Sequence, residues 1–332
     1  MTRRSRVARR AAALSTGLGL VIAVAGGVFV ARAIASEWST VRSALEQASY
    51  GWFAAALVLA AGGMLTIGLA WGSALRILGS RPGPGRSLRW YFLGQMGKYV
   101  PGGVWTVVGR GELARRDGVA RPLAYGSVLL SLSATYLAAG LTVIGLLPFD
   151  LAVGRETGAA RWVVLLAPLG LLVLHPAVLS RVLGVLERLL GGTSEPVVPA
   201  WSASVRLVLR HVPAWGLIGL ATWCVARAVD PGARPVQVVL AAVLSWIVGF
   251  VAVPVPGGIG VREAVFVAAA YSLSPGIAGT VAVTARVLFM AVDSGGAALA
   301  ALAGRRRALI RRSEPEGRPS LPEAEGTADP LR

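Results

Sequence analysis

The sequence contains little of what disulfides and metal sites require. Cys224 is its single cysteine, and His175 and His211 are its two histidines. One cysteine forms no disulfide within a chain, and these three residues are too few for a Cys/His zinc cluster. We therefore expect neither a structural disulfide nor a bound metal or other cofactor. Both histidines lie near a proline at the edge of an apolar stretch, which is typical of packing or interfacial residues.

Charged residues are also scarce. They make up 15% of the 332 residues, whereas 55% of the residues are hydrophobic. This composition is typical of a membrane protein rather than of a soluble domain. Several stretches contain no Asp, Glu, Lys or Arg, and most of them reach the roughly 20 residues that a helix needs to cross a bilayer. These stretches are 11–31, 47–75, 122–149, 162–180, 236–261 and 264–285.

The net charge of +17 comes mainly from arginines at the ends of apolar segments. Lys and Arg collect in short cytoplasmic loops, and lipid-spanning segments exclude them. The charge therefore indicates orientation in a membrane, and we expect no nucleic-acid partner. Basic residues precede 11–31, which is longer than the apolar core of a signal peptide. We predict a retained first helix with the N-terminus inside.

The positions of the arginines predict an all-α polytopic membrane protein with about six full spans and two broken hairpins. Both termini are then cytoplasmic, in a multi-pass protein of a bacterial-type inner membrane. Residues 1–10 form the basic N-terminus, and 11–304 form the transmembrane domain. One half of this domain covers about 51–147 and the other about 212–304. Residues 305–332 contain little to bury and are predicted to be a disordered cytoplasmic tail.

The sequence Pro-Gly-Gly interrupts two of the apolar pieces. Gly94 lies seven positions before the first interruption, and Gly249 lies seven positions before the second. Proline lacks an amide donor and glycine accepts unusual backbone angles, so each break ends one helix and lets another begin inside the membrane. The breaks are Pro101, Gly102 and Gly103, followed by Arg110 and Glu112, and Pro256, Gly257 and Gly258, followed by Arg262 and Glu263.

The two broken pieces have opposite flanks. The first has arginines on both sides, whereas the second must enter and leave from outside for the last arginines to lie inside. Irregular backbone at membrane depth is tolerated only against protein or a water-filled cavity. Inverted repeats with broken helices occur in many secondary transporters, where a half-helix N-terminus binds an anion. The pattern therefore predicts a shared polar cavity that suits a phosphate or carboxylate.

Charged residues near the breaks point to the same cavity, because ionisable groups inside a bilayer are costly unless paired or hydrated. Lys98, the only lysine, lies three positions before the first proline, and Arg286 lies about ten residues into the last span. We predict that both line one cavity together with the Arg-Glu pair of the second break. Asp293 follows Arg286 on the same helical face. Arg286 either forms a structural ion pair with Asp293 or binds an anion and is neutralised by Asp293 in the empty site.

The segments GQMGKYVPGGVW (94–105) and VPGGIGVREA (255–264) resemble the flippase-like membrane domain of lysylphosphatidylglycerol synthases. The resemblance covers about residues 10–305 and implies the transfer of lipids, often anionic or aminoacylated, between leaflets. Members of that family often carry an acidic residue after the first break, for which Glu112 is the candidate here. No aminoacyl-transfer domain follows Arg307, so we expect a stand-alone member that does not synthesise lipid.

The leading hypothesis is a translocator of an anionic lipid or lipid-linked headgroup, with membrane lipids as its partners. One alternative is a non-transporting membrane partner of a glycosyltransferase or lipid synthase. Another is an enzyme that acts on a lipid phosphate. An enzyme needs a positioned nucleophile or an acid and a base, and the sequence shows no acidic metal-binding pair of the kind that membrane glycosyltransferases use. We therefore expect no enzymatic activity.

The path of residues 236–285 has a second interpretation. In this rival, 236–255 crosses the membrane fully, Arg262 lies in the cytoplasm and 264–285 forms another span. The hairpin places Ser274 at the external surface, whereas the rival buries it in the membrane. We favour the hairpin because Ser-Leu-Ser-Pro-Gly at 272–276 is turn chemistry that would interrupt a lipid-exposed helix.

Overall fold

The computed structural model describes residues 28, 31–32, 34–99, 104–151, 199–251 and 258–313, and within these ranges the chain contains helices and short connections without a strand. A 3-10 turn, Met96–Tyr99, follows the third helix. The helices are α1 (Trp38–Glu46), α2 (Tyr50–Ile77), α3 (Pro84–Gln95), α4 (Trp105–Arg116), α5 (Arg121–Leu151), α6 (Trp201–Val229), α7 (Pro235–Val251), α8 (Val261–Ala269) and α9 (Pro275–Ser313).

Proline and glycine set several of these boundaries. Pro84, Pro235 and Pro275 each occupy the first position of a helix, where the missing amide is not needed. Gly79 and Gly118, with φ of 98° and 95°, follow the ends of α2 and α4. Glycine accepts this left-handed conformation without strain, which is why it commonly ends helices. The local sequence therefore fixes where these helices begin and end.

Four helices within the described ranges are long and apolar enough to cross a bilayer, namely α2, α5, α6 and α9. They confirm a multi-pass helical membrane protein. The predicted first span at 11–31 lies outside the described residues except for residues 28 and 31, and the span at 162–180 lies wholly outside them. The total of about six spans stays a prediction. Helix α9 continues to Ser313, so the tail boundary that we placed at residue 305 falls within a helix.

Helices α2 and α6 pack along their lengths at the centre of the bundle. Near one end, the rings of Trp52 and Trp223 meet edge to face, with 5.4 Å between their centroids. Further along, a Cβ on Gly63 would lie 2.9 Å from Cγ1 of Ile218, so the glycine allows close approach of the two helices. Because residue numbers rise along one helix and fall along the other, the pair is antiparallel.

Arginines gather at one end of the bundle. Arg86 donates to the backbone oxygen of Asp117 at 2.6 Å, and Arg89 forms an ion pair with the Asp117 carboxylate. Gly304 of α9 reaches the same Arg89 side chain. Since α9 begins at Pro275, about 44 Å away by helical rise, its first residues lie at the opposite end. This grouping agrees with the predicted arrangement of basic loops on one side of the membrane.

Helices α7 and α8 fold back on each other as an antiparallel hairpin. At its open end, Nε2 of Gln237 donates to the backbone oxygen of Ala269 at 2.7 Å. Towards its tip, Gly249 packs against the side chain of Arg262. A turn at residues 270–274 then leads into α9. The rival path, in which 264–285 is one continuous span, is inconsistent with this turn.

We expect Ser274→Cys, introduced into a Cys224→Ala background, to react with an impermeant thiol reagent added outside intact cells. Ser274 is exposed and bonds to Glu37 at the end of the bundle opposite the arginines. The matched control is Arg81→Cys, an exposed position at the arginine-rich end, which should react only after the cells are opened. Protection of Ser274→Cys, together with labelling of Arg262→Cys from the cytoplasm, would contradict the hairpin.

Candidate functional site

The first hairpin consists of α3, its 3-10 turn and α4. Its two arms meet at glycines, because a Cβ on Gly94 would lie 2.8 Å from the backbone nitrogen of Arg110. A Cβ on Gly97 would similarly meet the backbone of Trp105. Contacts between residues 94 and 110 and between 97 and 105 define antiparallel arms. The absence of side chains at both glycines lets the arms approach and lets the Arg110 side chain lie across Gly94.

Arg110 is buried among aromatic and amide groups, with 3% of its surface exposed. Its guanidinium carbon lies 4.3 Å from the ring centroid of Tyr91 and 6.0 Å from that of Trp71. The guanidinium donates to the side-chain oxygen of Gln95. Within the described part of the chain its Nε has no hydrogen-bond partner, and no carboxylate pairs with it. Among the described residues, the guanidinium of Arg110 is therefore held by aromatic rings and one amide and not by a direct ion pair.

The second hairpin repeats this arrangement. Gly249 packs against Arg262 as Gly94 packs against Arg110. The guanidinium carbon of Arg262 lies 3.6 Å from the ring centroid of Trp246, which precedes Gly249 by three positions. Tyr91 precedes Gly94 by the same three positions. The Nε of Arg262 also lacks a hydrogen-bond partner among the described residues. The similarity of the two breaks in sequence is therefore matched by a similarity in packing.

The start of α8 explains the glycines of the second break. Gly258 and Gly260 have φ of 65° and 79°, a conformation that glycine adopts readily and other residues rarely do. The backbone amide of Gly260 donates to Glu263 at 2.7 Å, which caps the helix. The other carboxylate oxygen of Glu263 accepts from Nη1 of Arg286 at 2.5 Å. One side chain thus both begins α8 and joins it to α9.

Asp293 joins α9 to the first hairpin. It is fully buried, at 0% exposed, and its Oδ2 pairs with Lys98 and accepts from the Tyr99 hydroxyl at 2.7 Å. The Nζ of Lys98 also lies 5.7 Å from the ring centroid of Trp246 in the second hairpin. This corrects the expected Arg286–Asp293 pair: Asp293 pairs with the lysine, and Arg286 pairs with Glu263. The seven-residue spacing correctly placed Arg286 and Asp293 on one face of α9, but it did not predict their ion-pair partners.

Six of the predicted residues therefore form one group, which we call the central cluster. Four are cationic and two are carboxylates, so the formal net charge of the group is +2. Its second-hairpin side lines a cavity of about 20 Å³, room for roughly one water molecule. The members are Lys98, Arg110, Arg262, Glu263, Arg286 and Asp293.

Glu112 lies outside the central cluster. It occupies the exposed face of α4, where it accepts from Arg115 at 2.8 Å and from Arg116 at 3.0 Å. Hydrogen bonds from Arg115 and then Arg116 lower the pKa of Glu112 to about 2. Its charge is thus already matched at the surface, and the structure does not place it with the other site candidates. The remaining candidates, Pro101, Gly102, Gly103, Pro256 and Gly257, lie outside the described residues.

The sequence analysis missed the aromatic and amide partners of the two arginines. These are Trp246, Tyr91 and Gln95, which appear in the sequence only as unremarkable members of apolar helices. The signal that could have found the rings is their shared position, three residues before each repeated glycine. Aromatic rings attract guanidinium groups within about 6 Å, so an aromatic residue one turn before such a glycine predicts this contact.

We expect Gly94→Ala and Gly249→Ala to disrupt their hairpins, because the new methyl group would collide with Arg110 or Arg262. Overpacking of this kind costs about 1–3 kcal/mol. Each variant should therefore show a lower melting temperature in detergent than the unmodified protein. Gly216→Ala is the matched control, since a Cβ at Gly216 meets nothing within 4 Å. Equal melting temperatures for all three variants would show that the arms do not pack in this way.

Comparison with known families gives a match over most of the chain. The family model described as the lysylphosphatidylglycerol synthase TM region matches residues 16–304. The match includes every described helix except the last part of α9. No curated protein matches the chain.

Proposed function

Because this chain belongs to the family of lysylphosphatidylglycerol synthase transmembrane regions, we propose that it is a translocator of an anionic lipid or lipid-linked headgroup. The headgroup binds between the two hairpins and passes from one leaflet of a bacterial-type inner membrane to the other. The protein carries out this movement without a chemical step on the lipid. Membrane lipids are its partners in this proposal.

The observation that carries the proposal is the excess of positive charge in the central cluster. Charge in a membrane interior is costly unless it is neutralised by a partner or hydrated. Glu263 and Asp293 pair with Arg286 and Lys98, and among the described residues no carboxylate lies within ion-pair distance of Arg110 or Arg262. An anion bound between the hairpins would complete the neutralisation. Guanidinium groups fit phosphate well, because their planar fork donates two parallel hydrogen bonds.

The two hairpins also suggest how the site could open to one leaflet and then to the other. Each hairpin contributes one arginine without a carboxylate partner, and α9 carries Asp293, which contacts the first hairpin, and Arg286, which contacts the second. In transporters with inverted repeats, one repeat moves against the other around a fixed site between them. We propose that the hairpins enter the membrane from opposite sides and move relative to α9. The headgroup would then bind first to the arginine of the hairpin on the side from which it enters, and next to the arginine of the other hairpin.

An enzymatic role is less well supported by the arrangement of nucleophiles. Ser131 lies 3.3 Å from Nε2 of His211, which is the spacing of a nucleophile and a base. However, both residues are buried and neither lines the central cavity. Nδ1 of His211 faces the backbone oxygen of Leu207 at 2.8 Å, where a catalytic histidine usually has a carboxylate. This pair is better explained as a buried hydrogen bond between α5 and α6.

The proposal is tested by leaflet exchange in reconstituted vesicles. We expect vesicles with the full chain to exchange a fluorescent phosphatidylglycerol between leaflets faster than protein-free vesicles, and faster than they exchange a phosphatidylcholine with the same label. Lipids that co-purify in mild detergent, identified by mass spectrometry, should be enriched in anionic headgroups. Folded protein that exchanges no anionic lipid above the protein-free rate, including any that co-purifies, would refute translocation.

A further inference from the structure

We propose that a second site at the arginine-rich end of the bundle binds the phosphate ester of an anionic phospholipid from the adjoining leaflet. The site is a cavity of about 260 Å³ between α2, α3 and α6. It shares no residue with the central cluster, and the inference does not depend on translocation. Its lining includes Leu69, Ser73, Arg76, Pro84, Ser87 and Arg210.

The polar lining of this cavity matches a phosphate. Arg76 and Arg210 bring two positive charges, and none of the described residues that line the cavity is acidic. Arg76 donates to the Ser73 hydroxyl oxygen at 2.8 Å, which leaves the Ser73 hydroxyl hydrogen able to donate to a ligand. Ser87 is 1% exposed, and its hydroxyl donates to the backbone oxygen of Gly83 over a long distance of 3.5 Å. These groups are donors and cations, as a phosphate ester requires.

The N-terminus of α3 adds to the positive electrostatic potential of this cavity. Pro84, the first residue of this 12-residue helix, lines the cavity together with Ser87 of its first turn. The amides of Arg86 and Ser87 already donate to the backbone oxygen of Gly83, so the helix contributes mainly the partial positive charge of its N-terminus, which favours an anion. Gly72 of α2 allows the close approach, since a Cβ there would lie 2.8 Å from Oγ of Ser87. Two helices thus bring their hydroxyl groups to one wall.

The apolar side of the cavity indicates a lipid rather than a free ion. Leu65 and Leu69 are exposed on α2, and Ser73 and Arg76 continue the same helical face at spacings of four and three residues. In a bilayer, exposed leucines on a spanning helix face acyl chains. The surface therefore changes from apolar to cationic along one stripe, as a phospholipid changes from chain to headgroup. Basic pockets between membrane helices are known to bind anionic headgroups.

The site is tested with purified full chain carrying Arg262→Ala, which weakens anion binding at the central cluster. Native mass spectrometry counts bound short-chain phosphatidylglycerol as its concentration is raised. We expect this protein to keep one binding site that weakens at least tenfold when Arg76→Ala and Arg210→Ala are added. The matched control adds Arg42→Ala and Arg234→Ala, two exposed arginines outside the cavity lining, and should bind as before.

Two further arms identify the ligand and the pocket. Inorganic phosphate should displace the lipid only at a much higher concentration than that of the lipid. Displacement at equal concentration would show that the site binds free phosphate rather than a lipid. Ser73→Ala keeps both arginines, so it should weaken lipid binding several-fold if the hydroxyl takes part. Unchanged lipid binding by Ser73→Ala would show that diffuse surface charge, and not this pocket, attracts the lipid. Unchanged lipid binding by the arginine variants would show that the cavity is not a lipid site. Melting temperatures identify variants that do not fold. If Arg76→Ala is one of them, the lipid affinity of Arg210→Ala decides, because this substitution removes no hydrogen bond among the described residues.

Discussion

The Arg262→Ala variant should exchange the anionic lipid about ten- to hundredfold more slowly than the unmodified protein. A charge-assisted contact to a phosphate is worth about 1.5–3 kcal/mol, and each 1.4 kcal/mol changes an equilibrium tenfold. Arg262 is well suited to this test because no described carboxylate depends on it: its guanidinium stacks on Trp246, and its Nε has no partner. Its removal therefore leaves no unpaired carboxylate in the described part of the protein.

The test compares three substitutions in reconstituted vesicles. Arg262→Lys keeps the charge but loses the planar fork and the ring contact, so its exchange rate should lie between those of Arg262→Ala and the unmodified protein. Arg42→Ala, at an exposed position outside the central cluster, should exchange normally. Arg286→Ala is less informative, because it would leave the buried Glu263 without its arginine. Normal exchange by a folded Arg262→Ala protein would remove this residue from the mechanism.

The Asp293→Asn variant should be strongly destabilised. Asp293 is completely buried and neutralises Lys98, so the substitution leaves a largely buried ammonium group without a counter-ion. Breaking a buried pair by removing one partner typically costs about 3–5 kcal/mol. Thermal unfolding of the purified protein in detergent measures the effect. The asparagine keeps the size of the side chain and an oxygen that can still accept from Tyr99, so the loss reports charge rather than shape.

The double variant Lys98→Met, Asp293→Asn provides the control for this effect. It removes both charges, and it should recover most of the melting temperature because no uncompensated charge remains. Lys98→Met alone should be destabilised too, since it leaves the Asp293 carboxylate buried without a cation. If the two single variants lose as little stability as the double variant, the two groups do not form a pair. The double variant should still fail to exchange lipid if the pair also serves translocation.

The charges of the site could be predicted from the sequence, but their partners could not. Charge inside an apolar segment is conspicuous, and the spacing of Arg286 and Asp293 correctly put both on one face of a helix. Which cation meets which carboxylate depends on where Lys98 and Glu263 arrive from other elements. Glu112 shows that position within a motif is not enough to predict a site residue. Arg115 and Arg116, one helical turn further along α4, neutralise its charge at the surface. Proximity in space, not position after a break, decides membership of the site.

The sequence by itself determined the class of protein and the location of its hairpins. Apolar stretches of spanning length are typical of membrane helices, and Pro-Gly-Gly strongly favours a break in a helix. These are local properties, so a pattern along the chain is enough to predict them. Helix boundaries also follow locally, as Pro84 and Gly79 show.

Only the tertiary structure decided the contacts of the central cluster and the cavity at the arginine-rich end. Arg110 and Arg262 each lie across a glycine of the opposite arm of their hairpin, and Lys98 of the first hairpin approaches Trp246 of the second. The second cavity joins Arg76 and Arg210, which are 134 positions apart in the chain. Such contacts arise when packed helices meet, and they depend on the side chains at each crossing. No periodicity in a single segment records which side chain the neighbouring helix brings.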